Sequence, residues 1–417
     1  MFLLYNIVLT LSAVFWLPWM WLRTRRRKEQ PNWKERGGDY AIEPLPDAHR
    51  IWFHAVSVGE VVASLPILRE LRDLLPGWEI ALSVTTSSGH KTARERAAGL
   101  YDHLVYFPID VARFQLAAMS RVRPKAVAIM ETELWFNFLW AARACRARTL
   151  LVNGRIGDRS FGRSRWLRFF YRRLLAMLDR TLAQSERDAE RLRALGAQGV
   201  EVMGNCKFDE ALEGAAANPA ELRAHYGIPK ERRVVVVGST RSELEESLVI
   251  EAIQAVGLHD LTVIHAPRHL ERAPALASAV EQAFGQVALR SKGQTGDYLI
   301  LDTYGELSGL YAIADVVVIG GGFDRLGGQN LIQPLACGKP VLHGPHMNNF
   351  ADVTASALAA GASSVCSTAQ ELSASLKQLL DDPEEREKMG AAARELVKQN
   401  AGASRRYAEA IAAEATR

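Results

Sequence analysis

The chain has 417 residues, too many for one ordinary hydrophobic core, so two domains are expected. Lys plus Arg (51) barely exceeds Asp plus Glu (47), and the composition is globular with no low-complexity tract, so where the charges fall carries more than their sum. The four cysteines, Cys145, Cys206, Cys337 and Cys366, lie far apart with no CxxC pair, which argues against a disulfide framework or a zinc site and for reduced thiols in the cytosol.

Residues 1–22, MFLLYNIVLTLSAVFWLPWMWL, carry no charge and are long enough to cross a bilayer. Trp16, Trp19 and Trp21 gather at one end, where indole rings favour the membrane interface, and RTRRRK (23–28) follows. Positive charge on that flank places the rest of the chain in the cytoplasm. A cleaved signal peptide fits poorly, because the basic residues follow the apolar run and no small-x-small site comes after it. A buried N-terminal helix, or one lying flat on a membrane, is the alternative to insertion.

RIWFHAV (50–56) then reads as a strand and residues 58–76 as an amphipathic helix. WEIALSVTT (78–86), KAVAIME (125–131), TLLVNG (149–154) and RTLAQS (180–185) continue a β/α rhythm, which implies a parallel sheet covered by helices on both faces. The rhythm breaks around residues 209–228. A second series runs through VVVVGST (234–240), LTVIHAPR (261–268), DYLILDT (297–303) and DVVVIGGG (315–322), with PVLHG after Gly338. The predicted fold class is therefore α/β: two tandem doubly wound Rossmann-like domains behind an N-terminal membrane-anchor helix. The expected divisions are an anchor with its basic flank (1–28), a first domain (29–212), a second domain (213–395) and a C-terminal helix (396–417) able to pack back on the first. The cleft between two such domains is the default ligand site.

HAVSVGE puts Glu60 in the first turn of a helix, just past a strand end. The helix dipole is expected to keep it ionised at neutral pH, and an ionised carboxylate there could accept a proton from a hydroxyl. Capping its own helix is the other reading. His54 reads as a packed strand residue rather than a catalyst. METELW adds Glu131 and Glu133, two apart, sharing a face if in a strand. No His or Asp cluster accompanies them, so no metal site is expected.

Residues 153–175 are dense in Arg (155, 159, 163, 165, 168, 172, 173) beside Trp166, Phe169, Phe170 and Tyr171. That mixture suits an anionic membrane surface or a phosphorylated lipid, with a solvated helix face as the alternative; nucleic acid is remote beside a membrane segment. Further on, Lys207 in MGNCKFDE, Arg268 and His269 in HAPRHLER, and the DTYGEL turn stand at strand ends or a domain junction. The glycine-rich stretch from Gly320 to Phe350 follows a strand, with a helix expected to start near Asn330 and present its N–H groups to an anion. Together these could hold a nucleotide at the carboxyl ends of the strands, its phosphate against Lys207, Arg268 and the amides, its ribose near Gln333.

The motifs HAVSVGE, METELW, LVNGRIGDRSF, GNCKFD, GSTRSELEE, APRHLER, DTYGELSGLYAIADVVVIGGG and GGQNLIQPLACGKPVLHGPHMNNF, in this order, resemble the 3-deoxy-D-manno-octulosonic acid (Kdo) transferases of lipopolysaccharide synthesis. The resemblance implies a GT-B glycosyltransferase of the inner membrane, facing the cytoplasm, that takes CMP-Kdo as donor and a lipid A precursor as acceptor, with no cofactor. It makes the first domain the acceptor side and the second the nucleotide-sugar side. It implies Glu60 as catalytic base and Glu133 as a second essential carboxylate. Lys207, Arg268, the Gly305-Glu306-Leu307 turn and Asn330 become donor contacts, with Arg155 and Lys91 on the acceptor side. The chain departs from the family pattern at Arg241, Gln329 and Gln333, at Phe136 and at Lys91. A relative using another CMP-sugar or acceptor, a non-catalytic lipid-binding relative, and a nucleotide-sugar epimerase on the same fold are the competing readings.

Overall fold

The computed structural model describes residues 2–26, 32–45, 48–215 and 218–417, without the side chains of residues 16, 17, 19–21, 23, 24, 26, 158 and 159. The chain divides into two compact units, Met1–Cys206 with Gly402–Arg417, and Lys207–Ala401.

The first unit is built on seven strands: β1 (Arg50–His54), β2 (Glu79–Val84), β3 (His103–Tyr106), β4 (Ala126–Met130), β5 (Arg148–Gly154), β6 (Arg180–Ala183) and β7 (Val200–Val202). They lie in the order β3-β2-β1-β4-β5-β6-β7, all parallel. Parallel strands need a crossover between them, and the intervening helices cover both faces of the sheet. The residues of β1 show the consequence. Ile51 and Phe53 point into one core, against Val61, Leu65 and Leu68 of the helix Val58–Leu74 and Tyr407 and Ile411 of the C-terminal helix Ala403–Ala415. Trp52, one residue out of phase, points into the opposite core with Tyr40, Met119 and Phe138.

The second unit repeats the plan with β8 (Arg233–Thr240), β9 (Leu261–Pro267), β10 (Ala288–Leu289), β11 (Tyr298–Ile300), β12 (Val316–Ile319), β13 (Val341–His343) and β14 (Ser363–Val365). The order is β10-β11-β9-β8-β12-β13-β14, again all parallel. The valine run of β8 splits by parity. Val234 and Val236 enter one core, Val235 and Val237 the other. In each unit the strand order reverses beside the first strand, at β1/β4 and at β8/β12, which leaves a crevice at the carboxyl ends of those strands.

Every predicted strand is present. Sequence patterning missed β3, β7, β10 and β14, all at or next to a sheet edge and two to four residues long, too short to show a periodic signal.

The N-terminal segment requires a correction. It is a helix, Phe2–Arg26, but among the described residues no helix is long and apolar enough to cross a membrane. Its first turns are docked on the first unit instead. The Tyr5 hydroxyl donates to Asp110 at 2.7 Å, and Asn6 and Asn137 exchange amide hydrogen bonds at 3.0 and 2.9 Å. Phe2 packs on Trp140, and Tyr5 stacks on Phe170. The polar residues inside the apolar run thus have partners in the protein. The Trp16, Trp19 and Trp21 side chains and the end of the basic flank, residues 27–28, lie outside the described residues.

Candidate functional site

Glu60 sits at the switch point of the first unit. β1 ends at His54, Ser57 stands at the N-cap, and Glu60 is the third residue of the helix Val58–Leu74. Its side chain folds back on the turn. The Val56 N–H donates to Oε2 at 2.9 Å and the Ser57 hydroxyl to Oε1 at 3.2 Å, so Glu60 holds the turn while the Ser57 side chain caps no backbone N–H itself. The expected full ionisation under the helix dipole is not what the surroundings favour. Burial, reinforced by the charges of Glu131 and Glu133 and opposed by the Val56 and Ser57 hydrogen bonds, pushes its pKa up to about 7. The helix dipole is outweighed by desolvation and two neighbouring carboxylates. A carboxyl poised near neutrality is suited to move a proton.

The partners come from the next two strand ends. β4 stops at Met130, so Glu131 and Glu133 lie in a loop rather than on one strand face. Glu131 has a left-handed backbone, φ 54°, its N–H donates to Val152 O at 3.0 Å, and its carboxylate lies 4.0 Å from the Arg155 guanidinium. Glu133 is half-buried, and burial raises its pKa against a hydrogen bond from Trp135. Asn153, at the end of β5, is also left-handed at φ 51° and fully buried. Non-glycine residues held in this region cost about 1–3 kcal/mol each and gather where function over-determines the backbone. The structure thus brings Glu60 together with both carboxylates of METELW, Glu131 and Glu133, and sets Arg155 beside Glu131.

His54 and Lys91 complete the first unit's candidates. His54 is completely buried, bonds Ser83 through Nδ1 at 2.9 Å and stacks on Phe107, and burial lowers its pKa to about 3, so it is a neutral packing residue. Lys91 is exposed on the helix Ser87–Arg96 and pairs with Glu95 at 3.8 Å.

In the second unit the expected donor contacts also gather at carboxyl ends of strands. Arg268 and His269 follow β9, both exposed, and the Arg268 N–H donates to Thr240 O at 2.8 Å. The Gly305 turn follows β11, with Gly305 at φ 91°. The glycine loop follows β12. A Cβ on Gly320 would lie 2.6 Å from the Thr240 Cα, so only glycine lets this loop pass the end of β8. Ser239, at that end, is left-handed at φ 65°. Lys207 opens the helix Lys207–Gly214, which packs beside the short helix Ile332–Ala336.

Several roles differ from expectation. The helix after the glycine loop begins at Ile332 and has five residues, and Asn330 accepts the Ile332 N–H at 3.0 Å through its own side chain. The helix start therefore lies two residues beyond Asn330, whose side chain holds the turn into it. Glu306 is engaged internally: Tyr226, Thr303 and Arg290 all donate to its carboxylate, with Arg290 at 2.9 Å. Its carboxylate thereby ties the turn to Tyr226 and Arg290. Gln333 lies half-buried on the short helix, Gln329 bonds Gly328 O at 3.0 Å, and Arg241 spans to Leu326 O at 3.2 Å. Sequence reading missed Tyr226, Arg290 and Glu245; only Glu245 carried a local signal, its position three residues after Ser242.

The helices Asp158–Trp166 and Arg168–Leu175 carry the Arg-aromatic segment. Trp166 is 84% and Phe169 64% exposed, and Arg163, Arg165 and Arg168 are exposed around them.

Residues 31–210 match the family described as 3-Deoxy-D-manno-octulosonic-acid transferase (kdotransferase), and residues 298–396 match Glycosyl transferases group 1. A 3-deoxy-D-manno-octulosonic acid transferase of Bordetella pertussis is 37% identical over 423 residues, covering 96% of this chain and 96% of that protein. Another, of Chlamydophila psittaci, is 30% identical over 80% of this chain and 78% of that protein. Among solved structures, a glycosyltransferase from Rickettsia africae aligns at TM-score 0.62 and 14% identity over 89% of this chain and 99% of that one. A UDP-GlcNAc 2-epimerase from Neisseria meningitidis aligns at 0.61 and 14% over 84% and 98%. At such identities the solved structures speak for the two-unit GT-B-like fold alone. The near full-length likeness to the Bordetella enzyme decides the assignment: the chain belongs to the 3-deoxy-D-manno-octulosonic acid transferase family of lipopolysaccharide biosynthesis.

Proposed function

We propose that this protein transfers Kdo from CMP-Kdo to a lipid A precursor with inversion at the anomeric carbon, at the cytoplasmic face of the inner membrane. The observation that carries the reading is Glu60, half-buried at the β1/β4 switch point with a pKa near 7 and two carboxylates beside it. Glu60 takes the proton from a glucosamine 6-hydroxyl of the lipid. The hydroxyl oxygen forms the new bond to the Kdo anomeric carbon from the face opposite CMP. The bond from that carbon to the phosphate oxygen breaks, and CMP leaves with the electron pair. Lys207, Arg268 and the amides of the glycine loop and the Gly305 turn receive the charge on the departing phosphate. Glu131 and Glu133 keep Glu60 basic enough to hold the proton, and Arg155 balances them and faces an acceptor phosphate.

Association with the membrane is supported by the docked N-terminal helix, which exposes Leu3, Leu4, Leu11, Val14 and Phe15. Tyr5 joins that helix to Phe170 of the Arg-aromatic segment, so apolar and basic side chains occur together, as a lipid surface requires. Sedimentation with anionic vesicles tests this part: Trp166→Ser with Phe169→Ser lowers the bound fraction, and unchanged binding counts against it.

The reaction is tested by mass spectrometry of a lipid A precursor after incubation with CMP-Kdo and the full chain. A mass gain of one or more Kdo units is expected. No gain with any lipid A precursor, together with CMP release from another CMP-sugar, would instead identify a divergent donor.

A further inference from the structure

We propose that Glu245 and Glu246 are positioning residues for donor binding, adjacent buried acids that set the three loops around the β8/β12 crevice. The inference rests on the reading of the second unit as the donor side. Both residues lie in the first turn of the helix Glu243–Val256, whose N-cap is Ser242. Glu245 is 0% and Glu246 3% exposed. Burying a carboxylate is costly unless hydrogen bonds replace its water, and burying two in succession is doubly so. Here, among the described residues, every hydrogen bond that the two carboxylates receive comes from a loop at a strand end of the crevice.

Glu245 spans β8 and β12. Its Oε2 accepts the Arg241 N–H at 2.9 Å, in the turn after β8. Its Oε1 accepts the N–H groups of Phe323 at 3.0 Å and Asp324 at 3.3 Å, in the glycine loop after β12. Glu246 reaches the other neighbour of β8. Arg272 clasps it with two parallel bonds, Nε at 2.9 Å and Nη2 at 2.7 Å. Arg272 closes the short turn Leu270–Arg272 that follows Arg268 and His269 after β9. One helix start therefore fixes the glycine-loop amides on one side and the Arg268 segment on the other.

Helix capping alone does not account for this. Glu371 occupies the same position in its helix, three residues after Thr368, and accepts the Ser367 N–H at 2.6 Å. That carboxylate serves its own turn at an exposed site. Glu245 makes the same local bond and then two more to a segment 78 and 79 residues away. A loop already held in its binding geometry spends less ordering entropy on its ligand.

The test uses the full chain, CMP as the calorimetric probe, and turnover with CMP-Kdo and a lipid A precursor. Glu245→Gln and Glu246→Gln are each expected to weaken CMP binding by about tenfold, the effect of losing a charge-assisted hydrogen bond. KM for the CMP-sugar should rise by a similar factor, while kcat and the acceptor KM stay within about threefold. Should Glu245→Gln fail to fold, Arg272→Lys carries the same test from the other side, since a lysine cannot make the two-pronged clasp. Folded variants that bind CMP like the wild type overturn this inference and leave the donor reading standing. A wild type that does not bind CMP overturns both.

Discussion

The two units carry the same local device at their switch points, a Ser-x-x-Glu helix start after the first strand, and put it to opposite uses. Glu60 and Glu245 each accept the N–H four residues earlier, at 2.9 Å in both. Glu245 is sealed, its remaining oxygen filled by the Phe323 and Asp324 amides. Glu60 is half-exposed, receives among the described residues only the Ser57 hydroxyl besides, and has the carboxylates of Glu131 and Glu133 nearby. One environment offers donors to a carboxylate, the other withholds them. Sequence position placed both residues at helix starts, and the groups brought in by distant strands made one a brace and gave the other a carboxyl raised to about 7.

The largest effect that can break this comparison is on catalysis. Glu60→Gln keeps the shape and much of the cap but removes the base, so turnover should fall about 10²–10⁴-fold with CMP affinity unchanged, read by single-turnover kinetics and calorimetry. An equal loss of CMP affinity would make Glu60 a structural residue like Glu245. Glu245→Gln should show the converse split, weaker CMP binding with kcat nearly intact.

Stability depends on the same contrast. The Glu60 carboxyl is raised from 4.5 to about 7, so its folded form holds a proton that the unfolded chain releases. Its contribution is fully present below about 4.5 and is lost as pH rises through about 7. Glu60→Gln, which cannot ionise, should therefore melt higher than the wild type above neutrality, with the difference vanishing in mild acid; calorimetry at both pH values checks it. Glu131→Gln should lower the Glu60 pKa and shift the acid limb of the rate profile to lower pH. The smallest effect is expected at Arg241→Met, which removes one guanidinium bond to Leu326 O and should cost about threefold or less in CMP affinity.

Much of this architecture was readable from residues alone because parallel strands buried on both faces are continuous apolar runs, as in the valines of β8 and the AVAIM of β4. The family motifs likewise led to Glu60, Glu133, Arg268 and the glycine loop. What was not readable depends on contacts across long sequence distances. The upward shift of Glu60 is hidden from the sequence because the helix dipole is visible there, whereas burial and the approach of Glu131 are not. The left-handed backbones of Glu131, Asn153 and Ser239 have no signal, since none is a glycine. The distant partners of the Glu306 carboxylate, Tyr226 and Arg290, have no signal in the DTYGEL motif. The N-terminal run looked like a spanning segment because hydropathy does not reveal that Tyr5 and Asn6 have partners in Asp110 and Asn137.

The central claim, that Glu60 is the proton acceptor of a sugar transfer, is tested most directly by the pH dependence of single-turnover Kdo transfer in the wild type and in Glu60→Gln. The account predicts a wild-type rate that falls on acidification with an apparent pKa near 7, and a variant whose residual rate lacks that limb. A variant that transfers Kdo at the wild-type rate, or that keeps the same acid limb, would contradict it.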